Sequence, residues 1–301
     1  MTVFADQGPV AAMLADGRRL HLQHGPIDLI IEAYGEGVEV ATAYEQAISS
    51  FKYILSDLVG ELDLLRQCAR LDHPPLGAVA NLMWRATNSK SIEEFVTPMA
   101  AVAGAVSDYV LAAMCQGRSL QRAYVNNGGD IAIHLGAKES FHIALCTNAA
   151  RMSMSGAITI SAVDGVGGVA TSGWEGRSQS LGIADAVTVL AEDAASADSA
   201  ATLIANAVDL KNSNKVERQS AREINPESDL GERKVTISVA PLTGVEVEEA
   251  IYPGLAVARR MIGHNHIKAA FIYLQGMARV VSGLKNAMPL NLKTKHASSW
   301  L

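Results

Sequence analysis

Three cysteines in 301 residues, Cys68, Cys115 and Cys146, are too few and too scattered to staple the chain, and their odd number leaves one over. None stands in a C-x-x-C metal pattern, so the expected setting is a reducing cytoplasm with no disulfide framework. No run reaches about 18 uncharged apolar residues. The most apolar stretch, Met99 to Cys115, is interrupted by Asp108, which argues against a membrane span. Asp6, Asp16, Arg18 and Arg19 break up the first thirty residues, where a secretory leader needs a basic start and an apolar core. Lys and Arg form no cluster, and the net charge of −6 with a pI near 5.8 denies nucleic acid the basic face it requires. Walker and Rossmann fingerprints are missing too. Gly165-x-Gly167-Gly168 is too short and precedes a strand pattern rather than a helix. Ser172 has no G-x-S-x-G context, so a serine hydrolase finds little support.

What is present is a large apolar fraction, 49%, against 19% charged residues, enough for a substantial core and one large domain over residues 1–301. Arg19 to Ala33 reads as two short strands about a His24-Gly25-Pro26 turn. Glu39 to Arg70 has helical period, as one long helix or two, and Thr97-Pro98 opens another helix to about Met114. Strands are expected at about 121–126, 131–135, 140–146, 156–163, 166–171 and 183–191, then a small-residue helix at 196–210. The stretch 211–232 is polar and reads as a surface excursion, Val235 to Val239 as a strand, and Glu246 to about Ser282 as helical with breaks at Pro253 and Gly263. Strands and helices come in blocks rather than in strict alternation. The expected class is therefore α+β, a layered sandwich with a β-rich centre flanked by long helices.

Three short motifs carry the chemistry. Gly128-Gly129, within V-N-N-G-G-D, suits a turn with positive φ, either a plain hairpin or one whose N–H groups cradle an anion. Thr171, Ser172 and Gly173 in G-V-A-T-S-G offer hydroxyls to a phosphate or to a cation's water shell, or mark only a strand end. A-D-S-A-A-T opens a helix on which Asp198 and Thr202, four apart, lie one turn above each other. Carboxylate and hydroxyl oxygens are hard ligands for Mg²⁺ or Ca²⁺, although an Asp near a helix start also serves the helix dipole.

In this order the motifs resemble the ApbE-like proteins, whose best-known members are Mg²⁺-dependent FAD:protein FMN transferases. Gly104-Ala-Val-Ser-Asp108 is similar to that family's G-x-x-x-D; Asn127, Gly128, Gly129 and Asp130 match its glycine turn; Ala170 to Gly173 match its A-T-S-G. Asp198 and Thr202 match its metal-binding A-D-x-x-A-T. The resemblance implies the ApbE-like fold, a Mg²⁺ site at Asp198 and Thr202, and an FAD or FMN site drawing on Asp108, the glycine turn with Asp130, Thr171, Ser172, Gly173 and Asp185.

The chain also departs from that pattern. Those transferases carry H-x-x-D-P-x-T-G after A-T-S-G, whereas Trp174 to Val189 here holds no histidine, no proline and no T-G. It resembles instead a shorter branch typified by H-L-Q-H-G-P-I-D, at His21 to Asp28, and G-I-A-D-A-V-T-V, at Gly182 to Val189. An enzyme of this kind must take its acid–base group from elsewhere. His21, His24 and Asp28 are the candidates, if their hairpin reaches the pocket of Asn127 and Asp130 rather than turning the rings to solvent. Two functions stand: a metal-dependent enzyme on a phosphorylated or nucleotide-like cofactor, or a non-catalytic binding or biosynthetic accessory protein for a heterocycle such as a pterin of one-carbon metabolism. Either takes a small-molecule ligand, neither engages nucleic acid or membrane, and both are compatible with a homo-oligomer.

Overall fold

A computed structural model of the chain describes residues 8–69, 74–88, 90, 94–148 and 153–284. The chain divides into two compact units, the first made of residues 1–139, 165–170 and 190–199, the second of the remainder.

The first unit is an antiparallel meander backed by helices. Strands β1 (Val10–Met13), β2 (Leu20–His24), β3 (Ile27–Gly35), β4 (Leu120–Asn127) and β5 (Asp130–Leu135) follow one another in hydrogen-bonded order. Beside β5 lies the start of β8 (Gly168–Ser172), with Ile131 opposite Val169. Alternation decides which face is buried. Leu20, Leu22, Leu29, Ile31, Ala123 and Val125 share the core face, against α1 (Gly37–Phe51), α4 (Ala78–Asn88) and α5 (Val102–Cys115). α1 turns Ala43, Ala47 and Phe51, four apart, inward. α2 (Ile54–Gly60) and α3 (Leu62–Leu65) follow it, so the segment expected as one or two helices forms three.

α5 is preceded by a 3₁₀ turn over Pro98–Ala101, with Pro98 at its first position, where a missing N–H costs nothing. Among the described residues, Pro98–Cys115 is the one helical run long and apolar enough to cross a membrane. Here it is a core helix: Gly104, Ala105, Val106, Ser107, Val110, Leu111 and Met114 are buried.

The second unit holds the hairpin β6 (Ser140–Asn148) and β7 (Ser153–Ser161), the buried strand β9 (Ala186–Ala191), and the hairpin β12 (Ala269–Leu274) and β13 (Met277–Ser282), with β9, β12 and β13 in hydrogen-bonded order. β8 and β9 each run from one unit into the other along the chain, as does α6 (Ala194–Ala207). The polar stretch 211–232 supplies β10 (Val216–Ser220), which pairs with β11 (Lys234–Val239), and the single turn α7 (Ala221–Ile224). α8 (Gly244–Gly263) starts at a capping box, Thr243 with Glu246, and packs on β12 and β13.

One expected element is overturned. The helical reading of 246–282 holds only to Gly263, with Pro253 inside the helix, and 269–282 is a hairpin. Ala-Ala-Phe-Ile-Tyr-Leu is rich in β-formers, and Gln275-Gly276, both at positive φ, makes a two-residue turn.

Close backbone contact concentrates at the start of α6. A Cβ on Gly104 would lie 2.3 Å from the Ala194 carbonyl oxygen, and one on Gly168 would lie 2.1 Å from the Asp193 carbonyl carbon. No rotamer change relieves such contacts, because both partners are backbone. Gly104→Ala or Gly168→Ala should therefore lose ~1–3 kcal/mol or more in urea unfolding. Gly60→Ala, at the end of α2 with open space around the added methyl, should be neutral or slightly stabilising. Equal stabilities for the three variants would refute this packing.

Candidate functional site

The site is built on the first turns of two helices. At the start of α6, Asp193 is the N-cap, its Oδ1 accepting from the Ser196 amide at 2.6 Å. The two preceding amides point to α5: Ala194 N–H donates to Asp108 Oδ1 at 2.9 Å and Ala195 N–H to Oδ2 at 2.8 Å. These are donors a helix cannot satisfy itself, and a carboxylate is the acceptor best suited to them. Burial pushes the Asp108 carboxyl up to about 7, against the pull of both amides, with the Asp193 charge adding to the rise.

Asp198 lies in the second turn of α6 rather than at its opening, since the helix begins four residues earlier. Its carboxyl turns onto the start of α5, where Oδ2 accepts from Gly104 N–H at 3.1 Å and the Ala103 amide also donates. Burial raises its pKa well above the ordinary carboxylate range, and the charge of Asp130 raises it further; the two α5 amides act the other way.

Asp130 arrives from the β4–β5 turn. Gly128 and Gly129, at φ 66° and 116°, form that two-residue turn, and Gly129 N–H is taken by Asn126 Oδ1 at 2.8 Å. Of the turn's amides proposed for an anion, this one is already satisfied. The turn is tied to α5 twice: Ser107 Oγ donates to the Asp130 carbonyl at 2.9 Å, and Asn127 Nδ2 to the Ala103 carbonyl at 3.3 Å. The first unit thus gathers Asp108, Asn127, Gly128, Gly129, Asp130 and Asp198 around α5.

In the second unit, Thr171 Oγ1 and Thr188 Oγ1 are 2.8 Å apart, and Ser172 and Thr202 are partly exposed. Both oxygens of Asp185 are engaged: Oδ1 accepts from Trp174 Nε1 at 3.2 Å and Oδ2 from Gln275 N–H at 2.6 Å. Burial raises this carboxyl too. A Cβ on Gly173 would fall 2.3 Å from the Asp185 carbonyl oxygen, so glycine there answers to packing.

The N-terminal hairpin does not join these groups as expected. Strand register puts Leu29 opposite Asn127 on the core face, whereas His21 and Asp28 lie on the other face, where His21 Nε2 meets Asp28 Oδ1 at 3.0 Å. Their carboxylate–imidazole pair is real, but it points away from Asn127 and Asp130. His24 does share the core face; its ring meets Phe51 edge-on at 6.5 Å, and its buried Nδ1 has no hydrogen-bond partner among the described residues. The acid–base role expected of His21, His24 and Asp28 stays a proposal, with His21 and Asp28 on the sheet face opposite Asn127.

Sequence reasoning passed over Asp193 and Lys90. An Asp before the small-residue helix was a legible N-cap signal. Lys90 carried none: its buried Nζ donates to the Ala86 carbonyl at 2.5 Å, which Ser199 Oγ also reaches at 3.0 Å. Burial lowers this amine to about 8, and Asp193 opposes the shift.

The family model called AbpE bacteria matches residues 11–280, a span that includes α5, the glycine turn and α6. The chain belongs to this AbpE family. It is 31% identical over 188 residues to a UPF0280 protein of Methanothrix thermoacetophila, covering 62% of the chain and 75% of that protein. A UPF0280 protein of Methanopyrus kandleri is 44% identical over 130 residues, 42% of the chain and 48% of that relative, so the match spans about half of its length. Among solved structures, the apo flavinyl transferase ApbE of Pseudomonas stutzeri aligns over 94% of the chain and 96% of its own length at 14% identity, TM-score 0.43. The ApbE protein of Thermotoga maritima aligns over 90% and 96% at the same identity and score.

The raised carboxyls of this AbpE-family chain fix the sign of a pH dependence. Asp108 keeps its proton up to about 7 when folded and only to its ordinary value of 3.8 when unfolded. The folded state therefore binds more protons between those values, and stability falls as pH rises through that window. Urea midpoints should decline from pH 4 to 7, and Asp108→Asn should flatten the decline. A midpoint that rises across the window in the parent chain would contradict the raised carboxyls.

Proposed function

We propose that the chain is a divalent-cation-dependent transferase acting on a phosphorylated or nucleotide-like cofactor, with FAD and FMN as the leading candidates and Mg²⁺ as the leading cation. The observation that carries this is the pair Asp130 and Asp198. The Gly104 amide holds Asp198 at the start of α5, and Ser107 and Asn127 tie the turn that bears Asp130 to the same helix. Two carboxyls of like charge thus approach one place, where a cation would offset their repulsion. The donors are hard oxygens. Among the described residues no three or more His, Cys, Asp or Glu side chains gather as a closed cage. Mg²⁺ commonly uses one or two carboxylates with waters and substrate phosphates, so two carboxylates suffice for the cation proposed.

In this reading Asp130 and Asp198 hold the cation, and Thr202, four residues along α6, is the proposed hydroxyl ligand. The bound cation supplies positive charge to phosphate oxygens of the cofactor. The α5 amides of Ala103 and Gly104 orient Asp198, while Ser107 and Asn127 fix the turn that presents Asp130. Thr171, Ser172 and Gly173 remain proposed as cofactor contacts. Asp185, whose oxygens accept from Trp174 and Gln275, also remains proposed as a cofactor contact.

Titration calorimetry should show Mg²⁺ binding that tightens as pH rises, because burial makes the Asp198 carboxyl hold its proton above the ordinary carboxylate range, and that weakens at least about tenfold in Asp198→Ala. Unchanged affinity in that variant removes the site. With FAD, Mg²⁺ and a threonine acceptor peptide, no flavinylated peptide should accumulate at ordinary enzymatic rates, about 1 per second or faster. Its appearance would mean that this chain is a standard FMN transferase after all.

A further inference from the structure

α5 and α6 exchange carboxylates. Asp108, in the second turn of α5, accepts the first two amides of α6, and Asp198, in the second turn of α6, accepts the amides of Ala103 and Gly104 in the first turn of α5. Each helix therefore begins on a side chain of the other. No local sequence signal links Asp108 to Ala194, which lies 86 positions away.

The glycines make the exchange tight. Gly104 is at once the donor to Asp198 and the residue whose missing Cβ lets Ala194 approach. Shifting the start of α6 thus moves Asp198 relative to the Gly104 amide, because about one helical turn of rigid backbone, roughly 6 Å, separates Ala194 from Asp198. Asp193 and Ser196 cap α6 locally, but they do not tie it to α5.

We propose that Asp108 is a positioning residue: by anchoring the α6 amides of Ala194 and Ala195 to α5, it sets the Asp198 carboxylate against Gly104 in the orientation that binds a divalent cation. The inference rests on the cation site proposed above. It assigns Asp108 no contact with cation or cofactor, since both of its oxygens already serve α6. Removing a group that orients a metal ligand commonly costs about 10- to 100-fold in affinity.

Two measurements on the full chain test it. In Asp108→Ala, Mn²⁺ affinity followed by electron paramagnetic resonance should fall about 10- to 100-fold, and Asp108→Asn, which keeps one acceptor oxygen, should recover part of it. Thr243→Ala, which removes the side-chain cap at the first turn of α8 and touches none of the α5 or α6 amides bonded to Asp108 and Asp198, should bind Mn²⁺ like the parent chain. Independently of any cation, hydrogen exchange at the Gly104 amide should accelerate at least about tenfold in Asp108→Ala under conditions where the α8 amides exchange at their parental rates. Asp108 does not touch that amide, so a merely local role predicts no change there. Parental Gly104 exchange in Asp108→Ala overturns the positioning role. If the parent chain binds no Mn²⁺ while Gly104 exchange still accelerates, the positioning stands and the cation reading fails.

Discussion

The placement of the first turn of α6 is the constraint on which the candidate site depends. Four features converge there: the Asp193 cap, the Asp108 carboxylate, and the glycines Gly104 and Gly168, whose missing side chains let three backbone segments meet. Helix starts are electropositive and carry unsatisfied donors, so a carboxylate from a neighbouring helix is a strong fastener. The glycines convert that fastening into close contact, and close contact brings Asp198 onto α5. Several carboxyls held in a small, partly buried volume repel one another and resist ionising. The protein tolerates this because backbone amides face each of the two most strained groups, Asp108 and Asp198.

That arrangement also explains why the glycine turn matters. Gly128 and Gly129 were legible as a hairpin, and they form one, with positive φ at both positions. One of the turn's amides is already bonded to Asn126, so the proposed site draws on the residue the turn delivers. Asp130 is held by Ser107 beside α5, where its charge acts on Asp198. Asn127 contributes the second tie, through Ala103.

The central strands were readable because β-branched residues and Gly, Asn and Asp punctuation agree there: those expected at 121–126 and 131–135 appear as Leu120–Asn127 and Asp130–Leu135. The α6 helix was readable from its run of small residues. The hairpin at 269–282 was not, since a short apolar run is ambiguous between helical and strand periods until a turn such as Gln275-Gly276 is recognised. The facing of His21 and Asp28 was illegible for another reason: parity within a strand gives two faces, and only pairing with the next strand says which one holds Asn127. The task of Asp108 was the least legible. Its position in a G-x-x-x-D pattern marked it for attention, but its partners are amides, and an amide leaves no trace in a sequence.

The central claim is the proposal that Asp130 and Asp198 together form a divalent-cation site. The most direct measurement is a crystal structure grown with Mn²⁺, with data collected to reveal the metal's anomalous scattering. The account predicts one strong peak within about 2.0–2.4 Å of an oxygen of Asp198 and of Asp130. A well-ordered structure with no peak there, or with Mn²⁺ bound only elsewhere, would contradict it.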